Sequence, residues 1–206
     1  MGLALFEKEG VEVRAVLANK LIPEKRDRTL DYLTRALADD KLTVVGGVDY
    51  HPVLANPTLR RISKLLGLPL YGNRRDMGRI IHHVQIGAAS TQRVTELIQD
   101  PSLIIVTSSR DELLVTLANL YKIPLYRSRI AGLIIPGTAP VTTITQMILD
   151  RSNIPYMRTE EHTTAELYRI ITEDVSKITS ADTEKLGLIR QLAETHINFA
   201  LLDELF

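Results

Sequence analysis

Three polar segments follow directly on apolar runs and carry groups that can hold a ligand. Ser108-Ser109-Arg110-Asp111-Glu112 comes after Ile104-Ile105-Val106, Pro136-Gly137-Thr138-Ala139-Pro140 comes after Leu133-Ile134-Ile135, and His162-Thr163-Thr164 separates a third apolar strand from a helix. The chemistry they offer is capture by hydrogen bonds rather than bond making. Arg110 has a planar fork suited to a carboxylate or phosphate, Gly137 permits close backbone approach, and helix-start amides attract anions. Each loop also has a purely structural reading. Ser109 can cap a helix whose dipole Asp111 and Glu112 complement, Pro140 suits a first helical turn, and Thr163-Thr164 reads as another cap. On successive parallel strands the three loops share one edge of a sheet, where open α/β sheets bind ligands.

Other chemistries find no residues to perform them. Neither the P-loop spacing nor Gly-x-Gly-x-x-Gly occurs. No glycine elbow flanks Ser108 or Ser109, so a nucleophilic triad has no basis. His82 and His83 are adjacent and point to opposite faces of a strand, while His51, His162 and His196 lie apart from one another. We therefore assign no catalytic residue, no metal site and no resident cofactor, and expect a nucleotide or anionic metabolite as ligand. The chain has no cysteine, which excludes disulfides and thiolate chemistry.

The elements that must position these loops follow from hydrophobic periodicity. Strands are expected at 13–18, 43–48, 80–86, 103–107, 130–135 and 154–157. Helices are expected at 28–38, 57–66, 91–99, 110–121, 141–150, 164–172 and 183–195, with a short apolar tail helix at 198–206. Pro57 is placed in a first helical turn and Gly67 at that helix's end. Residues 2–10 read as the end of a helix with no strand before it, as in the second half of a longer parent. The polar stretch Tyr71 to Gly78 is the expected linker. Strand–helix alternation implies parallel sheets with right-handed crossovers. The fold class is thus α/β: residues 1–73 form a partial parallel-sheet half-domain and residues 74–206 a compact β/α domain with a helical tail.

The 206 residues are 45% hydrophobic and 24% charged, with 25 acidic and 25 basic side chains. Such a chain is globular and has no net field to hold a polyanion, so nucleic acid is not the expected partner. The basic residues Arg60, Arg61, Lys64, Arg74, Arg75 and Arg79 lack interleaved aromatic residues and read as a solvated face. No apolar run reaches the roughly 20 residues of a membrane span, and the first ten residues lack a secretory pattern. A cytoplasmic location without a membrane partner is expected.

Several positions, in order, resemble the DRTGG domain. Ile86-Gly87-Ala88-Ala89-Ser90 is similar to its Val-Gly-Ala-Met-Ser opening, and Ser109-Arg110 stands where the family has Asp-Arg. Pro136-Gly137-Thr138 stands where it has Thr-Gly-Gly. Ile154-Pro155, His162-Thr163-Thr164-Ala165 and Asp182-Thr183-Glu184-Lys185 resemble its later elements. Residues 3–70 resemble the back half of a dethiobiotin-synthetase-like P-loop domain without its P-loop, through Leu17-Ala18-Asn19-Lys20, Val45-Gly46-Gly47-Val48-Asp49 and Pro57-Thr58. This order is that of the N-terminal regulatory region of some bacterial phosphotransacetylases.

The resemblance implies a non-catalytic regulatory or ligand-sensing module. Its expected ligand residues are Ser109, Arg110, Asp111, Gly137, Thr138, Thr163 and Thr164, together with Asn19, which matches a strand-end Asn that contacts a nucleotide base. The partners implied are a second copy in a homodimer, a phosphotransacetylase catalytic domain and a small metabolite. Two other readings stay open: a fragment of a P-loop ATP-dependent synthetase, and a structural oligomerisation module that uses the apolar tail Phe199 to Phe206.

Overall fold

Leu103 to Val106 and Leu133 to Ile135 run without a polar interruption, which marks strands covered on both faces. The structure, a computed structural model, describes residues 3–38, 42–174, 178–180 and 182–206. In chain order the elements are α1 (Leu3–Lys8), β1 (Ala15–Leu21), α2 (Arg26–Leu37), β2 (Thr43–Asp49), α3 (Pro52–Ala55), α4 (Leu59–Leu66), β3 (His83–Ile86), α5 (Thr91–Glu96), β4 (Ser102–Ile105), α6 (Asp111–Leu120), α7 (Pro124–Arg129), β5 (Ile130–Pro136), α8 (Thr143–Ser152), β6 (Tyr156–Thr159), α9 (Thr164–Glu173), α10 (Thr183–His196) and α11 (Phe199–Asp203). The fold is α/β with parallel sheets. None of the described helices is long and apolar enough to cross a membrane.

Two compact units divide the chain: Met1–Pro52 with Lys185–Phe206, and Val53–Glu184. This division differs from the one expected at 73/74, for two physical reasons. Leu59 and Ile62 of α4 are wholly buried among core residues of the second unit. At the other end, Asn198 donates its backbone N–H to Val45 (2.8 Å) and Ile197 bridges Gly46, which joins the C-terminal segment to β2.

The second unit is built on four parallel strands in the order β3-β4-β5-β6. Alternate side chains face opposite layers. Ile104, Val106, Leu133 and Ile135 pack with Val94, Leu113, Leu117 and Leu149 from α5, α6 and α8. Leu103, Ile105, Ile134 and Met157 pack with Leu59 and Ile62 of α4 and Leu167 and Ile171 of α9. A register shift in β5 sets Ser102 opposite Ile130 but Leu103 opposite Gly132, so Ala131 is the extra residue. Gly132 has room for no side chain, because a Cβ there would lie 2.9 Å from the Pro155 carbonyl and 3.0 Å from Leu59. The outer edge of β6 is covered by Tyr71, which exchanges both backbone hydrogen bonds with Tyr156 and stacks on its ring at 5.2 Å.

The segment expected as a linker is pinned instead. Asp76 is 8% exposed and accepts hydrogen bonds from Tyr121 Oη, Arg127 Nη2 (3.0 Å) and Asn73 Nδ2 (2.8 Å), with Arg79 at 3.4 Å. Arg79 in turn donates to the carbonyls of Arg127 and Ile130. Burial alone would raise the Asp76 carboxyl, but the hydrogen bonds from Tyr121 and Arg127 and the nearby arginine charges outweigh it and hold the group below its usual range. Burial, with Asp76 beside it, pushes the Tyr121 hydroxyl far up. Another correction concerns α4: Pro57 precedes the helix, and Thr58 caps it by accepting from the Arg61 amide. Arg61 closes the layer with a two-pronged pair to Asp174 (2.9 and 3.2 Å).

In the first unit β1 and β2 pair in parallel and α2 crosses between them. Leu21 and Val45 are buried, and a Cβ at Gly47 would press on Leu21 and Leu30. Arg26 bonds to Asp49 (3.4 Å) and to His196 Nδ1 (2.6 Å), tying α2 and α10 to the end of β2. The strand expected at 13–18 runs later, to Leu21, through a bulge at Lys20 whose φ is +59°.

Truncating Leu59→Ala should cost about 3 kcal/mol through lost burial and a residual cavity, read as a lower urea midpoint. Asp76→Asn should cost about 3 kcal/mol at neutral pH, because it leaves Arg127 and Arg79 without their buried partner. A carboxyl held low in the folded state contributes stability above its unfolded value and loses it as pH falls through the folded one. The melting-temperature gap between parent and Asp76→Asn should therefore hold constant from pH 7 to about pH 4 and close below that.

Candidate functional site

Parallel strands in sequential order end on one edge, so their following loops lie side by side. The sheet's hydrogen bonding runs on into those loops. Gly87 N–H donates to Ile105 O (2.8 Å), Ser108 N–H to Pro136 O (2.8 Å), and Gly137 N–H to Thr159 O (3.0 Å). Backbone bonds thus fix the starts of the loops after β3, β4 and β5.

The tightest point of this rim is Gly137 against Ser108. Gly137 has φ +127°, and a Cβ there would lie 2.6 Å from Ser108 Oγ. Ser108 is 2% exposed, and its backbone N–H is held by Pro136 O. Next to it starts α6, whose N-cap residue is Arg110 with no side-chain cap. The expectation that Ser109 caps this helix is corrected: Ser109 Oγ lies 3.3 Å from Thr107 Oγ1 instead. In the first turn of α6 the Leu113 and Leu114 amides donate to Arg110 O (3.0 Å each), and the Glu112 carboxylate accepts from its own backbone N–H. The other rim helices are capped, α5 by Ser90, α8 by Thr142 and α9 by Thr163.

Arg110 is committed within the fold. Nη1 donates to Gly87 O (3.1 Å), Nη2 to Ala89 O (3.2 Å), and Nε to Glu112. Its fork clamps the loop after β3 to the start of α6, and the hydrogen bond from it keeps the Glu112 carboxyl below its usual range. Asp111 accepts from Thr142 Oγ1 (3.4 Å), which joins the loops after β4 and β5. Thr138 is exposed beside Gly137.

Thr163 and Thr164 lie at the start of α9, beyond β6. Thr163 forms a reciprocal capping box with Glu166, whose carboxyl is lowered chiefly by the backbone N–H of Thr163. Thr159 Oγ1 lies 3.2 Å from His162 Nδ1 and accepts the Glu161 amide. Arg158 bonds to Ala139 O (3.3 Å) and Glu160 (3.4 Å), while its Nε is buried without a partner.

Ser109, Arg110, Asp111, Gly137 and Thr138 are thus gathered around the ends of β4 and β5, with Thr163 and Thr164 further along the edge. Asn19 belongs to the first unit, at the exposed end of β1, where its Oδ1 accepts the Lys20 amide (2.8 Å). Ser108 is the residue that sequence reasoning passed over in favour of Ser109. Parity could have found it, because Ile104, Val106 and Ser108 share one face. Among the described residues no three His, Cys, Asp or Glu side chains are grouped to hold a metal ion.

The sequence matches the DRTGG domain over residues 62–173, more than half of the 206-residue chain. No curated protein matches it. Among solved structures, the chain is similar to the CBS and DRTGG domains of the regulatory region of Clostridium perfringens pyrophosphatase, complexed with its activator diadenosine tetraphosphate. Identity is 14%, the similarity covers 85% of this chain and 78% of that one, and the TM-score is 0.45. The family match spans the four-stranded unit and its rim, and this chain belongs to the DRTGG domain family.

Proposed function

We propose that the chain is a regulatory module that binds a small ligand bearing an anionic group at the rim between Ser108, the α6 N-terminus and Gly137. The observation that carries this reading is the close approach of Gly137 to Ser108, a residue only 2% exposed whose hydroxyl stands where a Cβ on Gly137 would fall. The N-terminal end of α6 lies beside it, and the positive end of a helix dipole favours an anion.

Arg110 acts in this proposal as a positioning residue. It holds the first turn of α6 in place through the Gly87 and Ala89 carbonyls, a change from the direct ligand contact expected of its fork. Ser109, Asp111 and Thr138 border the site, and Thr163 and Thr164 shape its far end. The controlled partner in this reading is a phosphotransacetylase catalytic domain, with the chain acting as a homodimer in the cytoplasm. The first unit is then a dethiobiotin-synthetase-like half whose Asn19 offers a second, separate contact for a nucleotide base.

A thermal-shift panel of adenine and guanine nucleotides, cyclic dinucleotides, diadenosine tetraphosphate, acetyl phosphate, coenzyme A, NADH, pyruvate and phosphoenolpyruvate tests the proposal. A ligand at 100 times its Kd stabilises by about 2.7 kcal/mol, roughly a 5–10 °C rise for a chain of this size. Ser108→Ala should abolish that rise while leaving the stability of the unliganded protein within about 1 kcal/mol of the parent. A ligand response that survives Ser108→Ala would sink the reading, as would a loss of more than about 1 kcal/mol in the unliganded variant.

A further inference from the structure

We propose that the outer edge of β6 is a two-fold interface for a second copy of this chain, in which Arg74-Arg75 of each copy meet Glu160-Glu161 of the other about an axis at Tyr71. This goes beyond the rim site and gives the homodimer of the reading above its surface; the ligand site stands or falls separately.

The edge carries opposite charge at its two ends. Tyr71 lies antiparallel to β6 and exchanges both backbone bonds with Tyr156, and Asn73 donates its N–H to Asn153 O (3.0 Å). Arg74 and Arg75 follow at once, and the Arg75 N–H donates to Asn73 Oδ1 (3.1 Å). At the other end β6 stops at Thr159, Glu160 and Glu161 come next, and the Glu161 N–H returns to Thr159 Oγ1 (3.2 Å). Because the two segments run antiparallel, the arginine pair sits at one end of the edge and the glutamate pair at the other, with Tyr71 between them. All of these residues belong to the unit Val53–Glu184.

These charges are open to a partner. Arg74, Arg75, Glu160 and Glu161 are all exposed. Asp76, the carboxylate beside the arginine pair, is buried and taken by Tyr121, Arg127, Asn73 and Arg79. Asp150 is taken by Gln146 and Tyr156. Arg74, Arg75 and Glu161 form no ion pair among the described residues, and Glu160 has one, to Arg158 at 3.4 Å. The middle of the edge is free as well. Tyr71 is 48% exposed, with its ring stacked on Tyr156, and Leu70 and Gly72 on either side of it have no backbone hydrogen bond to any described residue. An edge with open backbone groups is a template for another chain, and tyrosine and arginine are the side chains enriched where proteins meet.

Two-fold symmetry requires a self-complementary patch, because residue i must meet j where j meets i. Arg74 comes three residues after Tyr71 and Glu160 four after Tyr156, at most about 10 and about 13 Å along an extended chain. Reversing the edge about Tyr71 therefore lays each arginine pair over the other copy's glutamate pair, and the small mismatch is within reach of an arginine side chain. A parallel approach of two edges would set arginine on arginine and glutamate on glutamate, which is penalised. The charge order thus selects the antiparallel arrangement. It also identifies the occupant, since an edge with both signs disposed in this way is its own complement.

Sedimentation velocity on the full chain is the test. The parent should be a dimer at micromolar concentration in low salt. Raising the salt to about 1 M, where the screening length falls to about 3 Å, should weaken the dimer at least tenfold. The double variants Arg74→Glu/Arg75→Glu and Glu160→Arg/Glu161→Arg should each be monomeric and keep the far-ultraviolet circular dichroism spectrum of the parent. Mixed in equal amounts, the two variants should form a one-to-one dimer, because every charge on one edge then faces its opposite on the other. A parent dimer that neither variant weakens overturns this interface and leaves the homodimer standing on another surface. A monomeric parent overturns both. Variants that are monomeric alone and do not associate on mixing also overturn the interface, because charge pairing across the axis demands their association. None of these outcomes bears on the rim site, which Ser108→Ala decides.

Discussion

A sheet of parallel strands cannot leave a face to water, because its crossover helices cover it and its side chains are apolar in both directions. In the unit Val53–Glu184 this constraint decides almost everything else. Three crossovers of one hand place α5, α6 and α8 on the same face. The opposite face would lie bare if α4, ahead of the first strand, and α9, after the last, did not cover it. Arg61 and Asp174 join these two covering helices directly. The family match from residue 62 to residue 173 therefore begins within one covering helix and ends at the last residue of the other.

The same constraint explains why the segment after α4 is fixed rather than loose. It must return the chain from the covering layer to the start of β3, and it does so across the edge of β6 and over the end of α6. Asp76 is the anchor of that return, with ligands from α7 and the end of α6. At this end of the sheet arginines are structural. At the opposite end, the rim, Arg110 and Arg158 also bond to loop carbonyls and neighbouring carboxylates, although Arg158 Nε has no partner.

Sequence reasoning captured the alternation of strands and helices in the second unit because continuous apolar runs and helical spacing are local signals. It captured the rim for the same reason, since any loop that follows a parallel strand lies there. Two kinds of information were not local. The role of Tyr71 to Gly78 depends on Tyr121 and Arg127, some fifty residues away, so polarity and glycine content were misleading. The state of each rim side chain depends on register. Ser109 looked like a cap, but the helix starts one residue later, and Arg110 looked free, but the carbonyls of Gly87 and Ala89 lie within its reach. The short helix Pro124–Arg129 gave no periodic signal. In the first unit, the attachment of Ile197 and Asn198 to β2 joins residues some 150 positions apart, which no window along the chain detects.

The bulge at Ala131 bears on how this strand can change over evolutionary time. Beyond the extra residue, every position of β5 from Gly132 to Pro136 keeps its facing only because one residue was inserted before it. Substitution within the strand is a local matter of volume. Loss of a single codon there would rotate the run Leu133-Ile134-Ile135 by half a turn, exchange its two packing layers, and carry Gly137 off its place against Ser108. Point substitutions and length changes therefore meet different barriers: the strand can drift in composition while its reading length stays frozen, and the geometry of the rim is inherited with that length.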